Sequence, residues 1–129
     1  MKLLLDTHAL IWAVMSPDRL GADAHVAITD PQNVVYASHV SLWELAIKRR
    51  IGKLATIDRP AGEWFETYVR ASHLQPLPIS AAHLGAIEFL PLHHGDPFDR
   101  LLVAQAQLEG LTVVTRDAAF DQYDIAVLW

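Results

Sequence analysis

Three leucines, Leu3 to Leu5, run straight into an aspartate, Asp6. The segment Lys2 to Leu5 is too short for a helix and its leucines do not alternate with polar residues, so it suits a strand buried on both faces. Such strands belong to parallel sheets covered by helices, and the rest of the chain supplies the alternation that such a sheet needs. Helical character from Thr7 to Met15 stops at Ser16-Pro17. A second helix reads from Leu20 to Thr29 and breaks at Asp30-Pro31. Asn33 to Ala37 is a strand rich in branched residues. Ser41 to Arg50 is helical, with Gly52 as its C-cap, and Gly62 to Ser72 is amphipathic. Leu77 to Ile79 reads as a third strand, Ser80 caps a helix through Phe89, and Pro91 to Gly95 is a loop. Asp96 to Glu109 is the longest helix, ended by Gly110. Leu111 to Thr115 and Ile125 to Leu128 complete the strands. The alternation implies βαβ crossovers: an α/β fold with a central parallel sheet of about 4–5 strands and helices on both faces. With 129 residues, no repeat and no linker, residues 1–129 are expected to form one domain.

Composition removes several classes of function. There is no cysteine, so no disulfide scaffold, thiolate zinc site, iron–sulfur cluster or cysteine nucleophile. No signal peptide opens the chain and no apolar stretch approaches the roughly 18 residues of a membrane span, so a cytoplasmic location is expected. The formal net charge is −5, from ten Lys and Arg against fifteen Asp and Glu, which argues against a generic nucleic-acid coat.

The positions of the acids matter more than their number. Asp6 ends the first strand, and Asp117 lies just beyond the strand that ends at Thr115. Glu44 and Asp99 fall in the first turns of predicted helices. Ligands of open α/β sheets bind outside the carboxyl ends of strands, where strand order switches, so these four acids are expected to meet in one crevice. Each also has a plain structural reading. Ser41-x-x-Glu44 has the pattern of a capping box, Asp96-Pro97-Phe98-Asp99 resembles one, and Asp117 fits a turn. Asp6 is hardest to explain that way, because a charge directly after a buried strand is costly unless paired or bound to a metal. If the carboxylates converge within about 6 Å, each pair repels by roughly 3 kcal/mol at an effective dielectric near 20. Either some of them protonate or a divalent cation sits among them. An all-oxygen site selects Mg²⁺ or Mn²⁺ over zinc, and such an ion suits phosphoryl transfer. The residues alone do not separate a nuclease from a phosphatase.

Leu4-Leu5-Asp6-Thr7-His8-Ala9-Leu10, Ser41-Leu42-Trp43-Glu44, Asp96-Pro97-Phe98-Asp99-Arg100-Leu101-Leu102 and Thr115-Arg116-Asp117 resemble the PIN-domain ribonucleases. More narrowly, the chain resembles the VapC-type toxins of type II toxin–antitoxin pairs, from Met1 to Trp129. The resemblance implies a PIN-like three-layer fold and a Mg²⁺- or Mn²⁺-dependent endoribonuclease. It implies hydrolysis by metal-activated water that leaves 3′-hydroxyl and 5′-phosphate ends. Asp6 and Asp99 match the principal metal-binding acids, Glu44 the second acid and Asp117 the more variable fourth. Thr115 matches a supporting polar position, and Asp96 is an extra acid, read first as a helix cap. A homodimer and a small antitoxin, VapB- or Phd-like, are implied as partners.

Other constellations compete. A metal-independent pair at His93-His94 would give cyclic phosphates, but adjacent side chains rarely converge. His8 is expected to pack near the pocket. Lys48, Arg49 and Arg50 suit a helix C-terminus or an RNA backbone. Arg100 and Arg116 each neighbour a site acid and are candidates for RNA contact or for orienting that acid. Trp43 is assigned to core packing with base stacking as the alternative, and Trp12, Phe98 and Trp129 to core or interface. A phosphatase of the haloacid-dehalogenase type would need a second Asp two residues after the first, where His8 stands. A silent PIN-like domain that binds RNA or a partner is the non-enzymatic alternative, and the presence of all four acids speaks against it.

Overall fold

The computed structural model describes residues Met1–Trp129. Its elements in chain order are β1 (Lys2–Leu5), α1 (Thr7–Met15), α2 (Ala22–Thr29), β2 (Val34–Ser38), α3 (His39–Arg50), α4 (Ala61–Ala71), β3 (Gln75–Leu77), α5 (Ala81–Ala86), α6 (Pro97–Glu109), β4 (Thr112–Val114) and β5 (Val127–Leu128). Three short 3₁₀ turns, at Pro17–Arg19, Ile87–Phe89 and Ala118–Gln122, lie between them.

All five strands are parallel, in the order β3-β2-β1-β4-β5. The first strand made is therefore the central one. The chain builds outward on one side of β1, then crosses over to build on the other, so strand order switches between β1 and β4. That switch is where an open α/β sheet offers its crevice. Leu3, Leu4 and Leu5 are fully buried, as a central parallel strand requires. Leu3 and Leu5 join a core with Leu10 of α1, Leu45 of α3 and Trp64, Phe65 and Val69 of α4. Leu4 points to the opposite face, with Val113 of β4 and Leu101 to Ala104 of α6. The period-two alternation of side chains thus gives one strand to two cores. Pro76 lies in β3 at the sheet edge, where a missing N–H is tolerated.

Several expected boundaries move, each for a local reason. The second helix starts at Ala22 because Pro17–Arg19 form a separate turn and Gly21 caps the helix instead of joining it. Gly21 packs so closely on the C-terminal residue that an added Cβ would lie 2.6 Å from the Trp129 backbone. The third strand is Gln75–Leu77, not Leu77 to Ile79, set by pairing with Tyr36–Ser38. The helix after Ser80 tightens into a 3₁₀ turn for its last three expected residues. The helix expected to begin at Ser41 begins at His39, because Ser38 is its N-cap and accepts from the Val40 N–H. No helix is long and apolar enough to cross a membrane.

Candidate active site

The acids of the crevice are delivered from four separate places in the chain. Asp6 follows β1 and caps α1, one carboxylate oxygen accepting from the Ala9 N–H at 2.8 Å. Its other oxygen accepts from the Thr115 hydroxyl at 2.6 Å, across the switch point. Thr115 in turn accepts from the Asp117 N–H at 3.0 Å, and Asp117 caps the 3₁₀ turn that follows β4. Asp96 caps α6, accepting from the Phe98 and Asp99 N–H groups at 2.9 and 3.0 Å. That cap and Pro97 fix the first turn, which carries Asp99.

Glu44 departs from its expected place. With Ser38 as the cap, Ser41 and Glu44 lie inside α3, and no Ser41–Glu44 capping box forms. The buried Glu44 carboxylate accepts from the Thr7 hydroxyl at 2.7 Å and forms an ion pair with Lys48 one turn on. Because Thr7 gives its proton to Glu44, it accepts from Ser41, 3.0 Å away. Thr7 is a site residue that the sequence reading missed. The signal available was a hydroxyl directly after the strand-ending Asp6.

Asp6, Glu44, Asp96, Asp99 and Asp117 border one pocket of about 130 Å³ together with Thr7, His8 and Lys48, and no apolar residue lines it. Five carboxylates thus face only Lys48 and His8. Burial pushes the Asp99 carboxyl up to about 7, and Asp96, Glu44, Asp6 and Asp117 add to the shift. Burial also raises Asp6, against the lowering effect of its bonds from Thr115 and Ala9 and of the His8 charge, while Asp117 raises it further. The donor chemistry suits a hard cation. No three His, Asp or Glu side chains are already placed around one ion position.

The basic candidates separate. Arg100 is buried and turned away from the pocket. Its guanidinium donates to the Pro91 carbonyl at 2.7 Å, to the Ile87 and Leu90 carbonyls at 3.4 Å, and to the Tyr123 hydroxyl at 3.2 Å. It anchors the segment before α6 and is unavailable to RNA. Lys48 is engaged by Glu44. Arg116 is exposed and enters no ion pair, and it lines a neighbouring cleft with Trp12.

His93 and His94 both pack their rings against Tyr123, at 5.0 and 5.4 Å between centroids. Tyr123 accepts from Arg100, and its hydroxyl forms a hydrogen bond with His94 Nδ1 at 3.0 Å. His94 Nε2, a buried atom without a hydrogen-bond partner, lies 3.5 Å from an Asp99 oxygen. Trp43 is 47% exposed rather than in the core, and meets Phe98 edge to face at 4.8 Å.

A family model described as a PIN domain matches residues 3–126. The chain is 30% identical over 116 residues to Ribonuclease VapC22 of Mycobacterium tuberculosis, covering 89% of this chain and 86% of that one. Among solved structures, it is similar to VapBC2 from Rickettsia felis bound to a DNA fragment from their promoter. That likeness has a TM-score of 0.72 and 17% identity, and covers 100% of this chain and 99% of the other. It is also similar to FitAcB from Neisseria gonorrhoeae, at a TM-score of 0.56 and 23% identity, over 98% and 96% of the two chains. The five-stranded parallel sheet with helices on both faces is the fold that these structures share with it.

Proposed function

The chain belongs to the PIN-domain family, among its VapC-type members, and on that premise we propose that it is a Mg²⁺-dependent endoribonuclease, the toxin of a type II toxin–antitoxin pair. The observation that carries this reading is the single polar pocket bordered by Asp6, Glu44, Asp96, Asp99 and Asp117. Asp6 and Asp99 are the acids we assign to direct hold of Mg²⁺ or Mn²⁺, with Glu44 and Asp117 completing the negative shell and Asp96 supporting it. When bound, the ion supplies Lewis acidity toward a water molecule and toward phosphodiester oxygens, and offsets the charge that repels RNA.

The chain's own residues prepare that site. Thr115 and the Ala9 N–H hold the two oxygens of Asp6 in fixed directions. Thr7 and Lys48 do the same for Glu44. Such outer contacts orient ligand oxygens before the ion arrives. The Asp96 cap sets the first turn of α6 and therefore the direction of Asp99. Without metal the Asp99 carboxyl titrates near 7, so binding of the cation displaces its proton.

The likeness to VapBC2 and FitAcB supports a small VapB- or Phd-like antitoxin as a partner of this chain. Family membership supports a homodimer, acting in the cytoplasm where its RNA is. The direct test incubates the purified protein with cellular RNA. Cleavage is expected with Mg²⁺ or Mn²⁺, leaving 5′-phosphate ends, and is expected to stop with EDTA and in Asp99→Asn. Cleavage that survives EDTA and leaves cyclic phosphate ends would overturn the reading.

A further inference from the structure

The acid pocket continues past its carboxylates. Asp6, His8 and Asp117 also wall an open cleft of about 330 Å³, completed by Trp12 and Arg116. That volume is within the range of small-ligand sites, roughly 300–1,000 Å³. Trp12 lies on α1, six residues after Asp6, and is half-buried. Its ring meets two others at a tilt, His8 at 5.7 Å and 43° and Trp129 at 5.6 Å and 60°. A large aromatic side chain is thus fixed in place while part of it stays open to the cleft. Arg116 lines the cleft with Asp6 and Asp117 yet enters no ion pair, so its guanidinium is free to meet an anion in an otherwise negative region.

We propose that this cleft is a nucleotide subsite. It takes one unpaired nucleotide of the RNA next to the phosphate at the acids, with the base stacked on Trp12 and an adjoining phosphate on Arg116. The proposal rests on the ribonuclease reading above. The two cavities share three walls, so a strand whose phosphate lies at the acids can place a neighbour in the cleft. Aromatic stacking with an arginine is how proteins hold single strands, because every base has a π-face, and a guanidinium matches phosphate geometry.

The test begins by mapping a cleavage position in cellular RNA and synthesising that segment. A single abasic ribose is then walked through it. In the wild type, one position beside the cleaved bond is expected to lower kcat/KM by about 5- to 150-fold, the range of one base stacked on an aromatic ring. In Trp12→Leu the same abasic ribose is expected to have no more than about a 2-fold further effect, and Trp12→Phe restores the sensitivity. Arg116→Ala is expected to reduce the salt slope of RNA affinity by about 0.7, one phosphate contact on a single strand, with Arg116→Lys retaining it. The wild-type scan holds even if a Trp12 variant folds poorly. RNA cleaved in an Asp99-dependent way with no sensitive position refutes the subsite and leaves the ribonuclease reading standing. No cleavage of any RNA with Mg²⁺ or Mn²⁺ refutes both. Trp12 variants that weaken only antitoxin binding would assign the cleft to the protein partner and overturn the proposal.

Discussion

Replacing Asp99 with asparagine removes the carboxyl that burial and four neighbouring acids push up to about 7. An aspartate in the unfolded chain titrates near 3.8, so the native state holds a proton that the unfolded state has already released between those two values. Stability from this group is therefore complete below about pH 4, falls as pH rises toward 7, and is level above it. The gap between those two values sets a ceiling of roughly 4 kcal/mol. A fifth of the side chain meets solvent, and screening brings the expected value to about 2–3 kcal/mol. In metal-free buffer, wild type and Asp99→Asn should thus match near pH 4, with the variant more stable by that amount at pH 8. For a domain of this length the gap corresponds to about 8–12 °C in Tm. Thermal melts in EDTA from pH 4 to 8 measure it, and a second series with Mg²⁺ should raise the wild type more than the variant. Parallel curves for the two proteins between pH 5 and 8 would refute the idea that these acids repel one another across a shared pocket.

Thr115→Val removes the donor that holds Asp6, and should weaken Mg²⁺ affinity or RNA cleavage by about 10- to 100-fold while leaving the fold intact; calorimetric titration with Mg²⁺ checks it. Arg100→Leu strands the Pro91, Ile87 and Leu90 carbonyls, and should destabilise the protein by about 3 kcal/mol or more in urea titrations, whether or not metal is present. Arg100→Lys, which cannot reproduce the fork, should recover only part of that. Gly21→Ala forces a methyl group against the Trp129 backbone and should lower stability by about 1–3 kcal/mol, read by thermal melting.

The fold was legible because its signals were redundant. Leu3 to Leu5 cannot be a helix and cannot be exposed, and the Pro, Asp and Gly residues between segments mark most ends. The carboxyl-edge argument placed Asp6, Asp99 and Asp117 correctly from their positions after strands or at helix starts. Glu44 reached the same pocket by another route. Its expected role depended on where α3 begins, and a serine three residues before Ser41 took the cap, a choice between Ser38 and Ser41 that local pattern does not decide. The basic residues were least legible. Arg100 and Arg116 each neighbour an acid in sequence, yet one faces three backbone carbonyls and the other solvent. That outcome depends on which side of a helix or turn meets the segment 87–91, a tertiary fact. Trp12 reads only as a core or interface residue, because nothing in the sequence tells that Trp129 returns beside it.

The central place of β1 also sets a clock. The hydrogen bond from Thr115 to Asp6 joins residues 109 apart, and β4 is the neighbour that closes the switch-point side of β1. On a ribosome adding roughly 5–20 residues per second, that separation is about 5–20 s of synthesis. Throughout that time the emerging chain carries Asp6 without the Thr115 hydroxyl that orients it, and the pocket lacks Asp117. On the ribonuclease toxin reading proposed above, the topology delays competence until that segment is made, which gives an antitoxin time to meet the chain as it is completed.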